Sequence, residues 1–214
     1  LKLVALALAP VVAISLYVYV KDKNPEPPRR LLYVFVGSAL SVLILLPIFS
    51  FLFGHIGEWI LGENLLSYAF FEVALAEETT KLVPVLLLAY RSRDFDEPFD
   101  GMVYATMGAM GFAAVENLMY VLSGGYGVAL LRMFTAVPMH AFAGIFMGYF
   151  LGRAKFSPSP LGHVLAGLGT ATAMHGFYDY SLFVGSVSSV IFGALGSLIV
   201  GGILALRGLK NGNG

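Results

Sequence analysis

Apolar residues run in long blocks along this chain, and short polar stretches rich in turn formers separate them. Seven blocks lie at residues 1–20, 31–53, 65–90, about 99–122, 127–151, 161–184 and about 186–206. Each reaches the length of about 20 residues that an α-helix needs to cross a bilayer. Long continuous runs, with no strict alternation, exclude the strands of a membrane barrel. The stretch 55–64 (HIGEWILGEN) reads as a connector with Trp59 as an interface anchor, and Ser123-Gly124-Gly125 reads as a turn.

Composition agrees with this pattern. Hydrophobic residues make up 58% of the 214 positions and charged residues 12%, against about 25% charged in an ordinary soluble domain. Mean hydropathy is +0.82. The expected fold is therefore all-α: a polytopic membrane protein of about seven transmembrane helices in one domain, residues 1–214. The chain opens on Leu1 rather than Met, so residues ahead of it are expected. The first block is too long for a signal-peptide core and its positive charges follow it, which predicts a retained helix.

Charge sets the orientation. Lys21, Lys23, Arg29 and Arg30 lie in the first connector, Arg91 and Arg93 in the third, Arg153 and Lys155 in the fifth, and Arg207 and Lys210 in the tail. The even-numbered connectors carry neither Lys nor Arg. The positive-inside rule then puts the N-terminus outside and the C-terminus in the cytoplasm. The net charge of zero says nothing useful about a nucleic-acid partner, and none is expected of a membrane-embedded chain; without Cys any metal must bind His and carboxylate.

Against this background the polar residues inside the apolar blocks stand out. A charge at the bilayer centre costs from about 2.5 to over 10 kcal/mol. The third block nevertheless holds Glu72, Glu77, Glu78 and Lys81, the fourth Glu116 and Asn117, the fifth Arg132 and His140, and the sixth His163, His175 and Asp179. Counted from the cytoplasmic ends, Glu77, Glu78, His140 and His175 fall roughly 18–21 Å deep, and Glu116 and Asp179 roughly 25–27 Å. Four helices thus place ionisable groups in one slab, which points to a single shared site. Lys81 is within one turn of both Glu77 and Glu78, and His175 and Asp179 share a face. Pro84 and Pro138 are expected to kink their helices beside these groups. His140, Gly144, Gly148 and Gly152 form a strip where a neighbouring helix approaches closely.

Crowded carboxylates in low dielectric either hold protons or neutralise against a cation. Two His with several carboxylates suit zinc, with His140, His175, Glu116 and Asp179 as the ligand set. A metal-free site is also open, with one carboxylate as general base for water and the His groups stabilising an oxyanion. The plain structural readings are an ion pair for Glu77, Glu78 and Lys81, and packing or intrahelical bonds for the histidines. His163 reads as a surface residue, and Glu72 and Arg132 as residues near the outer surface.

Glu77-Glu78-Thr79-Thr80-Lys81, Gly111 to Asn117 (GFAAVEN), Pro138-Met139-His140 and His175 to Tyr180 (HGFYDY) resemble, in order, the motifs of the PrsW family of intramembrane proteases. That family shares a superfamily with the type II CAAX prenyl endopeptidases, whose motifs are Glu-Glu-x-x-x-Arg, Phe-x-x-x-His and His-x-x-x-Asn. Here Lys81, Glu116 and Asp179 depart from those patterns toward the PrsW branch.

The resemblance implies peptide-bond hydrolysis in a membrane-embedded cavity of a prokaryotic cell membrane, with catalytic helices at about 65–184. Its substrates would be membrane-anchored proteins such as anti-sigma factors. Glu77, Glu78, His140 and His175 match the catalytic positions, with Lys81, Glu116, Asn117 and Asp179 in support. Glu78, or failing that Glu77, is expected to activate water. An ion- or proton-coupled transporter and a non-catalytic scaffold are the alternatives; a bis-His haem would leave the carboxylates without a role.

Overall fold

The computed structural model describes residues 1–212 and contains helices joined by short turns, with no strand among the described residues. In chain order the α-helices are α1 (Lys2–Lys21), α2 (Pro28–Leu61), α3 (Leu65–Ser67), α4 (Ala76–Val85), α5 (Pro98–Phe134), α6 (Ala136–Lys155), α7 (Pro160–Val184) and α8 (Gly196–Gly212). Wider π-helical turns at Tyr68–Leu75 and Leu86–Tyr90 flank α4, and another, Ser189–Leu195, leads into α8.

Four helical runs are long and apolar enough to cross a membrane: Lys2–Lys21, Pro28–Leu61, Pro98–Lys155 and Ser189–Lys210. Their outward faces carry Leu43, Ile44, Phe51, Leu131 and Ile199 exposed, as a surface that meets lipid would. Residues 65–90 and α7 are not among the four. They bear Glu72, Glu77, Glu78 and Lys81, and His163, His175 and Asp179, respectively.

Three local expectations need correction. The stretch 55–64 is not a simple connector, because nothing in it stops a helix before Gly62. There φ reaches +78° and the Gly62 N–H donates to the Glu58 carbonyl at 2.8 Å. The block 127–151 is not one helix. α5 breaks at Gly125 (φ +72°) and resumes to Phe134, and α6 begins afresh at Ala136. Pro138 therefore lies in the first turn of α6, where a missing N–H costs nothing, and kinks no helix.

Pro84 does lie inside α4. A proline cannot donate to the carbonyl four residues back, here Thr80. The Ser41 hydroxyl of α2 approaches that carbonyl at 3.2 Å, sharing its single hydrogen with the nearer Ser38 O at 2.7 Å.

α5 is the hub, packed against α1, α2 and α6, while α4 sits among α2, α5 and α7. Small residues make the α5–α6 contact intimate. A Cβ on Gly152 would stand 2.0 Å from the Pro98 carbonyl oxygen, and one on Gly148 would stand 2.3 Å from that of Gly101. That approach draws the start of α6, with His140, against Glu116 on α5.

Candidate active site

α4 supplies the first wall. Glu77, Glu78 and Lys81 occupy adjoining turns, and all three are buried. Lys81 Nζ donates to Glu78 Oε1 at 2.7 Å and stands 3.5 Å from Glu77 Oε2. The ammonium also lies 4.4 Å from the centre of the Phe112 ring, a cation–π contact from α5.

α7 and α6 bring the imidazoles. His175 Nδ1 is 2.7 Å from Glu78 Oε1, while its Nε2 is 3.1 Å from Asp179 Oδ2 and 3.7 Å from Glu77 Oε2. His140 Nε2 is 2.7 Å from Glu116 Oε2, and its Nδ1 is 2.9 Å from Lys81 Nζ. The two rings meet edge to face, 5.2 Å between centroids. Their Nε2 atoms are the ones that face the cavity carboxylates.

Arg132 closes the circle. Its Nη2 donates to Glu116 Oε2 and its Nε to Asn117 Oδ1, each at 2.8 Å. Asn117 in turn donates to the Ala7 carbonyl of α1 at 2.8 Å, so it anchors the wall and does not face the cavity. Arg132, expected near the outer surface, thus joins the site. The signal that finds it is the one that found Lys81, a lone cation in an apolar run.

Glu77, Glu116, Arg132, His140, His175 and Asp179 line a cavity of about 370 Å³. Glu78 is not on its wall: it lies behind His175, with no exposed surface. A larger recess, about 700 Å³, opens elsewhere between α6 and α8, but its lining holds no carboxylate and no imidazole. His163 is half-buried and bonded to the Ser159 carbonyl within its own turn, and Glu72 lies apart from Arg132, beside Ser50 and Gly54.

The donor set fits a divalent metal ion. Glu77, His140 and His175 each offer a ligand atom, and the three atoms lie within 4.8 Å of one another. Charge points the same way. Four carboxylates (Glu77, Glu78, Glu116, Asp179) share two cations (Lys81, Arg132), leaving two negative charges uncompensated when both imidazoles are neutral. A divalent ion cancels that excess while leaving both imidazoles free to act as nitrogen ligands; without it, protons on the two imidazoles would cancel the same charge.

The family model described as PrsW family intramembrane metalloprotease matches residues 26–206. The chain belongs to this family. It is 36% identical to Protease PrsW of Oceanobacillus iheyensis over 155 residues, covering 72% of this chain and 70% of that one. Protease PrsW of Geobacillus kaustophilus is 34% identical, with 85% and 80% covered, and that of Bacillus subtilis 30% identical, with 84% and 82% covered. No solved structure matches the chain.

As a PrsW-family chain it is a membrane peptidase, acting on protein in a membrane environment. Bacterial relatives and apolar helices together support a membrane protein of bacteria. Membership in a metalloprotease family accords with the Glu77, His140, His175 cluster.

Proposed function

We propose that Glu77, His140 and His175 hold a zinc ion and that the cavity they line hydrolyses peptide bonds of membrane-anchored proteins, anti-sigma-factor-like proteins among them. The observation that carries this reading is the convergence of three ligand atoms from α4, α6 and α7 in one buried cavity. When bound, zinc supplies Lewis-acid chemistry, polarising the scissile carbonyl and acidifying water.

The chain's own groups do the rest. Glu78, accepting from His175 Nδ1–H, fixes that ring with Nε2 toward the cavity, the carboxylate–histidine pairing that metal ligands commonly use. Lys81 keeps Glu78 ionised and its orientation fixed. Glu116 is tied to Arg132, whereas Asp179 pairs with neither Lys81 nor Arg132 among the described residues. Asp179 is therefore the carboxylate placed to take the proton of the attacking water and return it to the leaving amine. Arg132, on the same wall, faces the developing negative charge.

A metal-free reading is favoured by one observation. Both ring nitrogens of His140 already have partners, Lys81 Nζ and Glu116 Oε2, with the proton on Nε2. In that case Glu77 is the base and His175 steadies the oxyanion. The chain as a whole is proposed as one protease domain of seven spans, N-terminus outside, with the cavity toward the outer leaflet and cleavage on the extracytoplasmic side of the substrate.

The test is cleavage of a co-expressed membrane-anchored reporter by Glu77→Gln, His140→Ala and His175→Ala, alongside metal analysis of gently purified protein. Unimpaired cleavage by all three ends the assignment. Full activity after exhaustive chelation, with no stoichiometric zinc, selects the metal-free reading.

A further inference from the structure

A second group of carboxylates lies at the start of α5, sixteen positions before Glu116. Asp22 follows α1, Glu26 sits in the connector between α1 and α2, and Asp100 occupies the first turn of α5. All three are buried, with 5%, 3% and 0% of their surface exposed. Each offers a carboxylate oxygen, and the three oxygens lie within 4.8 Å of one another.

Half of the hydrogen-bonding capacity here is spent on backbone and on Tyr104. Asp22 Oδ1 accepts from the Asn24 N–H at 3.0 Å, and Asp100 Oδ2 accepts from the N–H groups of Asp96 and Glu97, each at 2.8 Å. The Tyr104 hydroxyl donates to Glu26 Oε2. What remains is the other oxygen of each carboxylate. Asp22 Oδ2 and Asp100 Oδ1 are shut off from solvent and, with Glu26 ionised, have no hydrogen-bond partner among the described residues. A buried carboxylate oxygen with no donor is costly, and two of them among three like charges compound the cost.

A proton answers only part of this. A protonated Glu26 relieves one charge but has a single hydrogen, so it cannot serve both orphaned oxygens. One ion touching all three carboxylates serves both. The donors are oxygen alone, with no imidazole and no thiolate, which selects a hard cation over zinc.

We propose that Asp22, Glu26 and Asp100 form a second metal site, which takes an oxygen-seeking divalent cation of the magnesium or calcium class and ties the first connector to the start of α5. The site stands independently of the catalytic reading, because none of its residues lines the catalytic cavity.

The experiment uses the full chain in detergent micelles and in a His140→Ala/His175→Ala background that removes the nitrogen donors. Tb³⁺ is the probe, since Tyr104 is in contact with Glu26 and sensitises a lanthanide held there. Saturable emission is expected, competed away by millimolar Mg²⁺ or Ca²⁺ and reduced at least tenfold by Asp22→Asn/Asp100→Asn. In parallel, the thermal midpoint of the parent rises with added Mg²⁺ or Ca²⁺, and that of the asparagine variant does not. Should the double variant fail to fold, Glu26→Gln gives the same two readouts. The better competitor identifies the cation. Emission undiminished in a folded variant overturns the proposal. So does a folded parent whose emission and midpoint ignore divalent ions, leaving a shared-proton carboxyl cluster.

Discussion

Two buried carboxylate clusters stand on one helix, and they solve the same electrostatic problem differently. α5 carries Asp100 in its first turn and Glu116 sixteen positions later, about 24 Å along a continuous helix. Around Glu116 the excess negative charge meets Lys81, Arg132 and two imidazoles, so nitrogen and oxygen donors face one cavity. Around Asp100 the three carboxylates offer only oxygen donors, and two of those oxygens have no hydrogen-bond partner among the described residues. The lesson is that the donor atoms, more than the density of acid, divide chemistry from architecture. Mixed donors with access to a cavity suit a reacting centre, and oxygen alone suits a clamp.

The contrast is sharpest if the two clusters respond to different substitutions. His175→Ala or Glu77→Gln should lower reporter cleavage by about 10²–10⁴-fold, while the Tb³⁺ signal at Asp22, Glu26 and Asp100 is unchanged. Loss of both signals together would make the clusters one system. Lys81→Met comes next. It leaves Glu78, which has no exposed surface, without its strongest partner, and should cost about 3–5 kcal/mol in chemical unfolding. Adding Glu78→Gln to it should restore much of that stability without restoring activity.

Smaller effects follow from groups that act through others. Glu78→Gln alone keeps the volume but weakens the hold on His175 Nδ1, so zinc affinity and cleavage should each fall about 10–100-fold. A loss of cleavage with zinc content intact would move Glu78 from orienting the ligand to the reaction itself. Gly144→Val tests the helix contact that seats His140. Even a Cβ there would lie 2.9 Å from the Ala109 Cβ and 3.1 Å from the Ala105 carbonyl oxygen. A cost of about 1–3 kcal/mol is expected, with cleavage reduced and the melting response to Mg²⁺ or Ca²⁺ preserved.

Much of this is written in the order of residues. Blocks of apolar sequence specify an all-helical membrane protein, because a backbone in lipid must satisfy its own hydrogen bonds. The cost of charge in that setting marks Glu77, Glu78, Lys81, Glu116, His140, His175 and Asp179 as a set, and the four motifs carry the family resemblance. Turn-level detail was less legible. Nothing in 55–61 announces that α2 runs on to Leu61, and Pro138 reads as a kink until the chain is seen to restart at Ala136.

Rotation was not legible at all. Glu77 and Glu78 are neighbours, yet adjacent residues on a helix point about 100° apart. Only packing against α2, α5 and α7 turns Glu77 into the cavity and Glu78 behind His175. The π turns on either side of α4 add to this, since each extra residue swings the following face by about 100°. Arg132 and the cluster of Asp22, Glu26 and Asp100 depend likewise on segments far apart in sequence coming together. The sequence by itself determined which residues are too expensive to be idle in a membrane, since that cost is a property of each side chain. Tertiary structure alone decided which of them share a cavity, because direction and neighbourhood belong to the packed bundle.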